Sequence, residues 1–187
     1  MELLEAIKTR RSIRHYKPDA ISEEEINTIL EAARWAPSWS NCQPWRLVLV
    51  QDKEKKARLA KAIPPANAAS RATEEAPIVI VLCAKLGCSG FISNKPIPDK
   101  AEFWYMFDVA LAMQNLTLAA HALGLGTVHV GWFNPQEVAQ ILNIPDGISV
   151  VEIIPLGYPA EKGRTPSRRE LSELVFYENY SQENLNS

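Results

Sequence analysis

Arg10, Arg11 and Arg14 stand together in the run RRSIR, with Ser12 between them. Guanidinium groups are planar, permanently charged forks, and three at this spacing suit a phosphate and a second polar edge. The plainer reading is a solvated cluster. Leu3, Leu4 and Ile7 mark one face of a short helix just before the run, and cations are favoured near a helix C-terminus. A second pair, Arg168 and Arg169, lies near the far end of the chain and alone would be surface charge.

The stretch APSWSNCQPWR, residues 36–46, poses a different problem. Pro37 and Pro44 bracket Ser38, Ser40, Asn41, Cys42 and Gln43, and an apolar run follows. Buried amides and hydroxyls need partners, so a loop this rich in them is expected to hold something polar. Cys42 as a nucleophile would need a base and a lowered pKa. No histidine is near in sequence, and His129 would have to reach it through the fold. The alternative is a small side chain that fits. Asp108, alone in an apolar helical stretch, is either a general acid or, more commonly, the partner of a neighbouring donor. In LGLGTV the glycines follow a helix pattern and precede a strand. A dinucleotide fingerprint has the reverse order, so Gly124 reads as a helix C-cap.

These groups must be positioned by regular elements. Ser22 and Glu25 form a capping box, and Ile26, Ile29, Leu30 and Ala33 continue it as an amphipathic helix that Pro37 stops. The pattern predicts buried strands over 46–51 and 77–84, a surface helix over 53–63, and strands over 127–132 and 149–159. Asn134 and Pro135 open a further helix. A long helix over about 101–123 is apolar on most sides, as a core or interface helix would be. The segment 86–100, rich in Gly and Pro, is expected to be a loop on the substrate side. Alternating strands and helices around one sheet leave the class at α+β or α/β.

The 187 residues are expected to form a single domain, 1–187. A net charge of −2 gives no footprint for nucleic acid or an anionic membrane. No secretory leader is visible, and the most apolar stretch carries Asp108, Gln114, Asn115 and His121, which a membrane span would tolerate badly. Three cysteines, with no CxxC, imply free thiols in a reducing, cytoplasmic setting, and the three histidines lack metal-ligand spacing.

Taken together, AIKTRRSIRHYKPDAISEEEINTILEAARWAPSWSNCQPWRLVLV, WYMFDVALAMQNLTLAAHALGLGTVHVGW, IIPLGYP and PSRRELSELV resemble, in that order, the nitroreductase family of FMN-dependent oxidoreductases. The resemblance runs from Leu3 to about Tyr177. It implies an α+β fold with a mostly antiparallel central sheet flanked by helices, and a homodimer with the long helix at its interface and FMN bound between subunits. Matched position by position, it implies FMN contacts from Arg10, Arg11, Ser12 and Arg14, with Arg14 at the pyrimidine edge of the flavin. Pro37, Ser38, Asn41 and Gln43 match a second motif, on a loop facing the flavin held mainly by the other chain. Val130 and Gly131 match backbone lying against the ring, and Arg168 matches a late phosphate-binding arginine.

This chain has Pro166 where relatives often have a lysine, so Arg169 is expected to compensate. The implied activity is ping-pong transfer of two electrons from NADH or NADPH to a small electron-poor acceptor, such as a nitroaromatic or quinone. The flavin carries the redox chemistry, so no catalytic side chain and no metal are required. The resemblance makes Cys42 a bystander. Phe91, Phe103 and Trp104 either shape the acceptor site or pack the core. Other readings are a specialised flavin reaction such as reductive dehalogenation, an FMN-binding protein without turnover, or a helical interaction module without cofactor. The last leaves the polar loop unexplained.

Overall fold

Among the described residues the strands are β1 (Trp45–Val50), β2 (Ile78–Lys85), β3 (Phe91–Ile92), β4 (Lys95–Pro96), β5 (Gly126–Thr127) and β6 (Ile148–Gly157). The helices are α1 (Leu3–Thr9), α2 (Glu23–Arg34), α3 (Lys53–Lys61), α4 (Ala69–Glu75), α5 (Trp104–Ala122), α6 (Pro135–Leu142) and α7 (Leu171–Leu174). This computed structural model describes residues 1–180; positions 181–187 of the expected single domain lie outside the described residues.

The main sheet has the order β1-β2-β6-β5 and is antiparallel throughout. β2 explains why its sequence shows no alternation. Ile78, Ile80, Leu82 and Ala84 face one core with α2 and α5. Val79, Val81 and Cys83 face a second core with α3, α4 and α6. A strand covered on both sides needs apolar residues at every position. The class is thus α+β, an antiparallel sheet between two helical layers, which agrees with the expectation.

Local signals carried most elements. Ser22 Oγ accepts the Glu25 N–H while the Glu25 carboxylate accepts the Ser22 N–H, the reciprocal box that opens α2. Asn134 caps α6 with Pro135 at its first position. Gly124, at φ +81°, ends α5, and the Leu125 N–H returns to the Ala120 carbonyl. Two expectations are corrected and one element is added. The segment 86–100 contains the small β3–β4 hairpin. The strand expected over 127–132 is regular only at Gly126–Thr127, with Val130 forming an isolated bridge to Ile153. And α4 carried no recognisable stripe, because its buried residues are Ala69, Ala72 and Thr73, which give little hydrophobic contrast.

Candidate functional site

Arg10 is the C-cap of α1, where the backbone turns extended. Ser12 then pairs in parallel with Thr127, and the Ile13 N–H donates to the Thr127 carbonyl at 2.9 Å. The run RRSIR is therefore an added edge on β5, and extended backbone turns Ile13 and Arg11 to one side and Arg10, Ser12 and Arg14 to the other. Ile13 is buried against Gly126, where a Cβ would stand 2.7 Å from its Cγ1. Gly163 admits the Arg11 side chain in the same way.

Arg10, Arg11, Ser12 and Arg14 line a cavity of about 380 Å³ with Arg164, Pro166 and Arg168. The early and late arginine motifs thus meet. Arg169 is not among the lining residues, and Arg164, which the sequence reading did not single out, is. The only sequence signal for Arg164 was its place two residues before the Pro166 of the late motif.

Arg11 is tied down: its Nε donates to Thr165 Oγ1 at 3.1 Å and its Nη1 to the carbonyls of Lys8 and Arg10, both at 2.7 Å. The Arg14 N–H donates to Glu161 Oε1 at 2.7 Å. Arg10 differs, because its Nε is buried without a partner. Burial, then the charges of Arg11 and Arg168, push its pKa down. A crowd of cations with an unmet buried donor is a site that an anion would complete.

The polar loop is built elsewhere. Trp39–Asn41 form a short 3-10 turn, and Ser40, Asn41 and Gln43 take φ of +44°, +56° and +47°. Three non-glycine residues in the left-handed region within four positions carry backbone strain that surrounding contacts must hold. Ser38 Oγ accepts the Gln43 N–H at 2.9 Å, and Gln43 Nε2 reaches Asn41 Oδ1 at 3.3 Å. The stronger restraint is Asp108 on α5. Its buried carboxylate accepts the Trp39 N–H at 3.1 and 3.2 Å and the Ser89 hydroxyl at 2.7 Å. Asp108 therefore acts as a clamp joining α5, the polar loop and the segment 86–100. Trp39 extends the clamp: its Nε1–H donates to the Phe91 carbonyl at 2.7 Å, and its ring packs edge-on against Trp104, centroids 5.2 Å apart.

Pro37, Asn41 and Gln43 remain exposed and Ser38 half-buried. Cys42 Sγ lies 3.4 Å from Ser89 Oγ and 4.0 Å from Asp108 Oδ2. His129 is engaged with Glu152 instead, at 3.2 Å. Cys42 thus has no histidine to activate it, and the carboxylate near its sulfur, Asp108, is already engaged by Trp39 and Ser89. Val130 is fixed to Ile153 by two backbone hydrogen bonds of 3.1 Å, and Gly131 beside it is exposed, with open space where a side chain would be.

The two polar centres stand at opposite ends of α5. Asp108 holds the loop near the helix start, whereas Thr9, next to Arg10, meets His121 near its end at 2.8 Å. Asp108 and His121 are thirteen positions apart on the helix, about 20 Å at 1.5 Å per residue. The outer side of the same region is apolar and open. Leu3, Leu4, Ile7 and Trp35 are 66, 67, 49 and 72% exposed. A groove of about 400 Å³ runs between α1, α2 and α5, lined by Leu3, Ala6, Trp35 and Leu118 among others. Among the described residues no helix is long and apolar enough to cross a membrane, and no cluster of three His, Cys, Asp or Glu side chains could hold a metal.

Comparison with known proteins gives these arrangements a context. A family model described as the Nitroreductase family matches residues 7–158. A Methanothermobacter thermautotrophicus protein, provisionally named an NADH dehydrogenase/NAD(P)H nitroreductase, is 36% identical over 175 residues, covering 91% of this chain and 83% of that one. A Bacillus subtilis FMN reductase using NAD(P)H is 27% identical over 189 residues, covering 96% and 74%. The crystal structure of a nitroreductase family protein from Clostridium novyi NT matches with a TM-score of 0.77 at 33% identity, covering 86% of this chain and 87% of that one.

Proposed function

The chain belongs to the nitroreductase family, and from that premise we propose that it is an FMN-dependent NAD(P)H oxidoreductase passing two electrons to a small, electron-poor acceptor by a ping-pong route. The observation that carries this reading is the arginine cavity with its unpartnered Arg10 Nε. Its residues fit a phosphate monoester: Arg10, Arg11, Arg168 and Ser12 would hold the phosphate, and Arg164 supplies the cation that Pro166 lacks. FMN, when bound, supplies the two-electron chemistry. Exposed Gly131 offers backbone on which a flat ring can lie, and the rigid pairing of Val130 fixes that surface.

Arg14 would stand at the pyrimidine edge, where its charge offsets the negative charge that reduction brings. Arg14→Ala should lower the midpoint potential of bound FMN by roughly 30 mV, the equivalent of a tenfold change in the two-electron equilibrium. A potentiometric titration giving the parental value, with FMN still bound, would remove Arg14 from this role.

We further propose that the working unit is a homodimer. The Asn41 loop and the Arg10 cluster are anchored about 20 Å apart along α5, the loop residues do not line the arginine cavity, and the apolar face of α1, α2 and α5 is of the kind a second copy would cover. On this reading Ser38, Asn41 and Gln43 of one chain would complete the pocket begun by the arginines of the other. The free thiols suit a reducing compartment such as the cytoplasm.

The test is an anaerobic titration of the purified protein with NADPH and then NADH, followed by visible absorption. Bleaching of the flavin bands at one equivalent per site is expected, and the nucleotide that achieves it names the donor. Flavin bands that neither nucleotide bleaches would leave an FMN-binding protein without turnover. A colourless protein that takes up no added FMN would overturn the reading.

A further inference from the structure

The cysteine of the polar loop has a neighbour that the proposed function does not use. β1 and β2 pair from Trp45 opposite Ala84, and the Lys85 N–H continues the ladder to the Pro44 carbonyl at 2.8 Å. Cys42 lies two residues before Pro44 and Cys88 three residues after Lys85, so both leave the same end of the same strand pair. Cys42 Sγ sits 3.4 Å from the hydroxyl of Ser89, the residue next to Cys88. The Cys88 thiol donates to the Lys85 carbonyl at 3.5 Å and stands near enough to Cys42 to raise that thiol's pKa. Both thiols are partly exposed, whereas Cys83 is fully buried in the sheet.

We propose that Cys42 and Cys88 are a redox-active dithiol that closes to an intramolecular disulfide when a hydroperoxide is present, tying the segment 86–100 to the polar loop. The chemistry balances with the peroxide as oxidant. A Cys88 thiolate attacks one peroxide oxygen, the O–O bond breaks, and Cys88 becomes a sulfenic acid as one water leaves. The Cys42 sulfur then attacks the sulfenic sulfur; the S–S bond forms, the S–O bond breaks, and the Cys42 proton leaves with the hydroxyl as a second water. Two thiols have lost two protons and two electrons, and one hydrogen peroxide has become two waters.

Assigning Cys42 the second step fits its surroundings. Burial, followed by the neighbouring Cys88 and the Asp108 carboxylate, holds its thiol in the protonated form, which makes it a poor first attacker. Cys83 provides an internal control, since burial pushes its thiol up to about 11. The consequence of closure is local. The disulfide would add a covalent link beside the Asp108 clamp, so the loop 86–100 could no longer lift away from Asn41 and Gln43. A reducing compartment would reopen it.

The experiment uses the full chain, with no flavin chemistry required, so its failure is separable from failure of the proposed function. The reduced protein is treated with hydrogen peroxide, alkylated under denaturing conditions and digested without reductant. Before alkylation, the expected result is an intact mass lower by about 2 Da, two hydrogens. The Cys42 and Cys88 peptides should be joined, Cys83 should carry the alkylating label, and dithiothreitol should restore the original mass. Full alkylation of Cys42 and Cys88 after peroxide would overturn the proposal. So would their recovery as sulfinic acids, a link between two chains, or a link through Cys83.

Discussion

Arg10→Ala should weaken FMN binding by roughly 30- to 150-fold, the loss of a charge-assisted contact of about 2–3 kcal/mol. The size follows from the environment of the side chain. Arg10 is the cation whose buried Nε has no protein partner, so a bound phosphate would satisfy it and alanine would remove that interaction outright. Arg11 is different, because Thr165, Lys8 and Arg10 already engage its Nε and Nη1. The protein without flavin should not lose stability in this variant. Arg11 and Arg168 both disfavour the charge on Arg10, so deleting it relieves like-charge crowding. Fluorescence titration with FMN and a thermal melt of the flavin-free protein measure the two effects. Arg169→Ala, outside the cavity lining, should change FMN affinity less than about twofold, as surface substitutions usually do. Wild-type affinity in the Arg10 variant would remove the phosphate role.

Asp108→Ala should carry the largest stability cost, about 3–4 kcal/mol, because two donors lose a buried carboxylate at once. Asp108 is 1% exposed; its two oxygens hold the Trp39 N–H, and apart from Asp108 the Ser89 hydroxyl has the weak Cys42 sulfur contact at 3.4 Å. For a chain of this size the melting temperature should fall by roughly 10 °C. Asp108→Asn should cost less, about 1–2 kcal/mol, since its carbonyl still accepts one bond and the Ser89 hydroxyl can rotate to accept from the new amide. The strain at Ser40, Asn41 and Gln43 is held by this clamp, so the alanine variant should also loosen the loop. Combined with Ser89→Ala, the losses should sum to less than the two separately, because both remove one shared bond. Thermal and denaturant melts of the parent and the four variants decide it, and a parental melting temperature in Asp108→Ala would refute the clamp.

The capping box of α2, the Asn134–Pro135 start of α6, the glycine end of α5 and the doubly buried β2 were all legible, because each depends on residues within a few positions. Elements whose stability comes from distant contacts were not. α4 is buried through alanines and a threonine, and no local pattern marks it. The segment after Thr127 reads as a strand by composition, yet among the described residues its one bridge beyond β5 is Val130 to Ile153. The candidate site divides the same way. The arginine motifs and polar loop stood out by type and spacing. The partners of Asp108 lie 69 and 19 residues away, and the cavity role of Arg164 depends on a chain reversal no local signal reports. The segment 86–100 kept its loop character, but its hairpin rests on two-residue strands too short to show alternation.

The spacing of the two polar centres along α5 has a consequence for heredity. If each pocket draws its arginines from one subunit and its amide loop from the other, damage is counted per pocket and not per polypeptide. A dimer joining an Arg10-deficient chain to an Asn41-deficient chain holds one pocket with both defects and one with neither. Two individually inactive alleles would then complement each other, whereas two different lesions at the same end of α5 would not. Crosses between such alleles would sort substitutions by the end of the helix they serve.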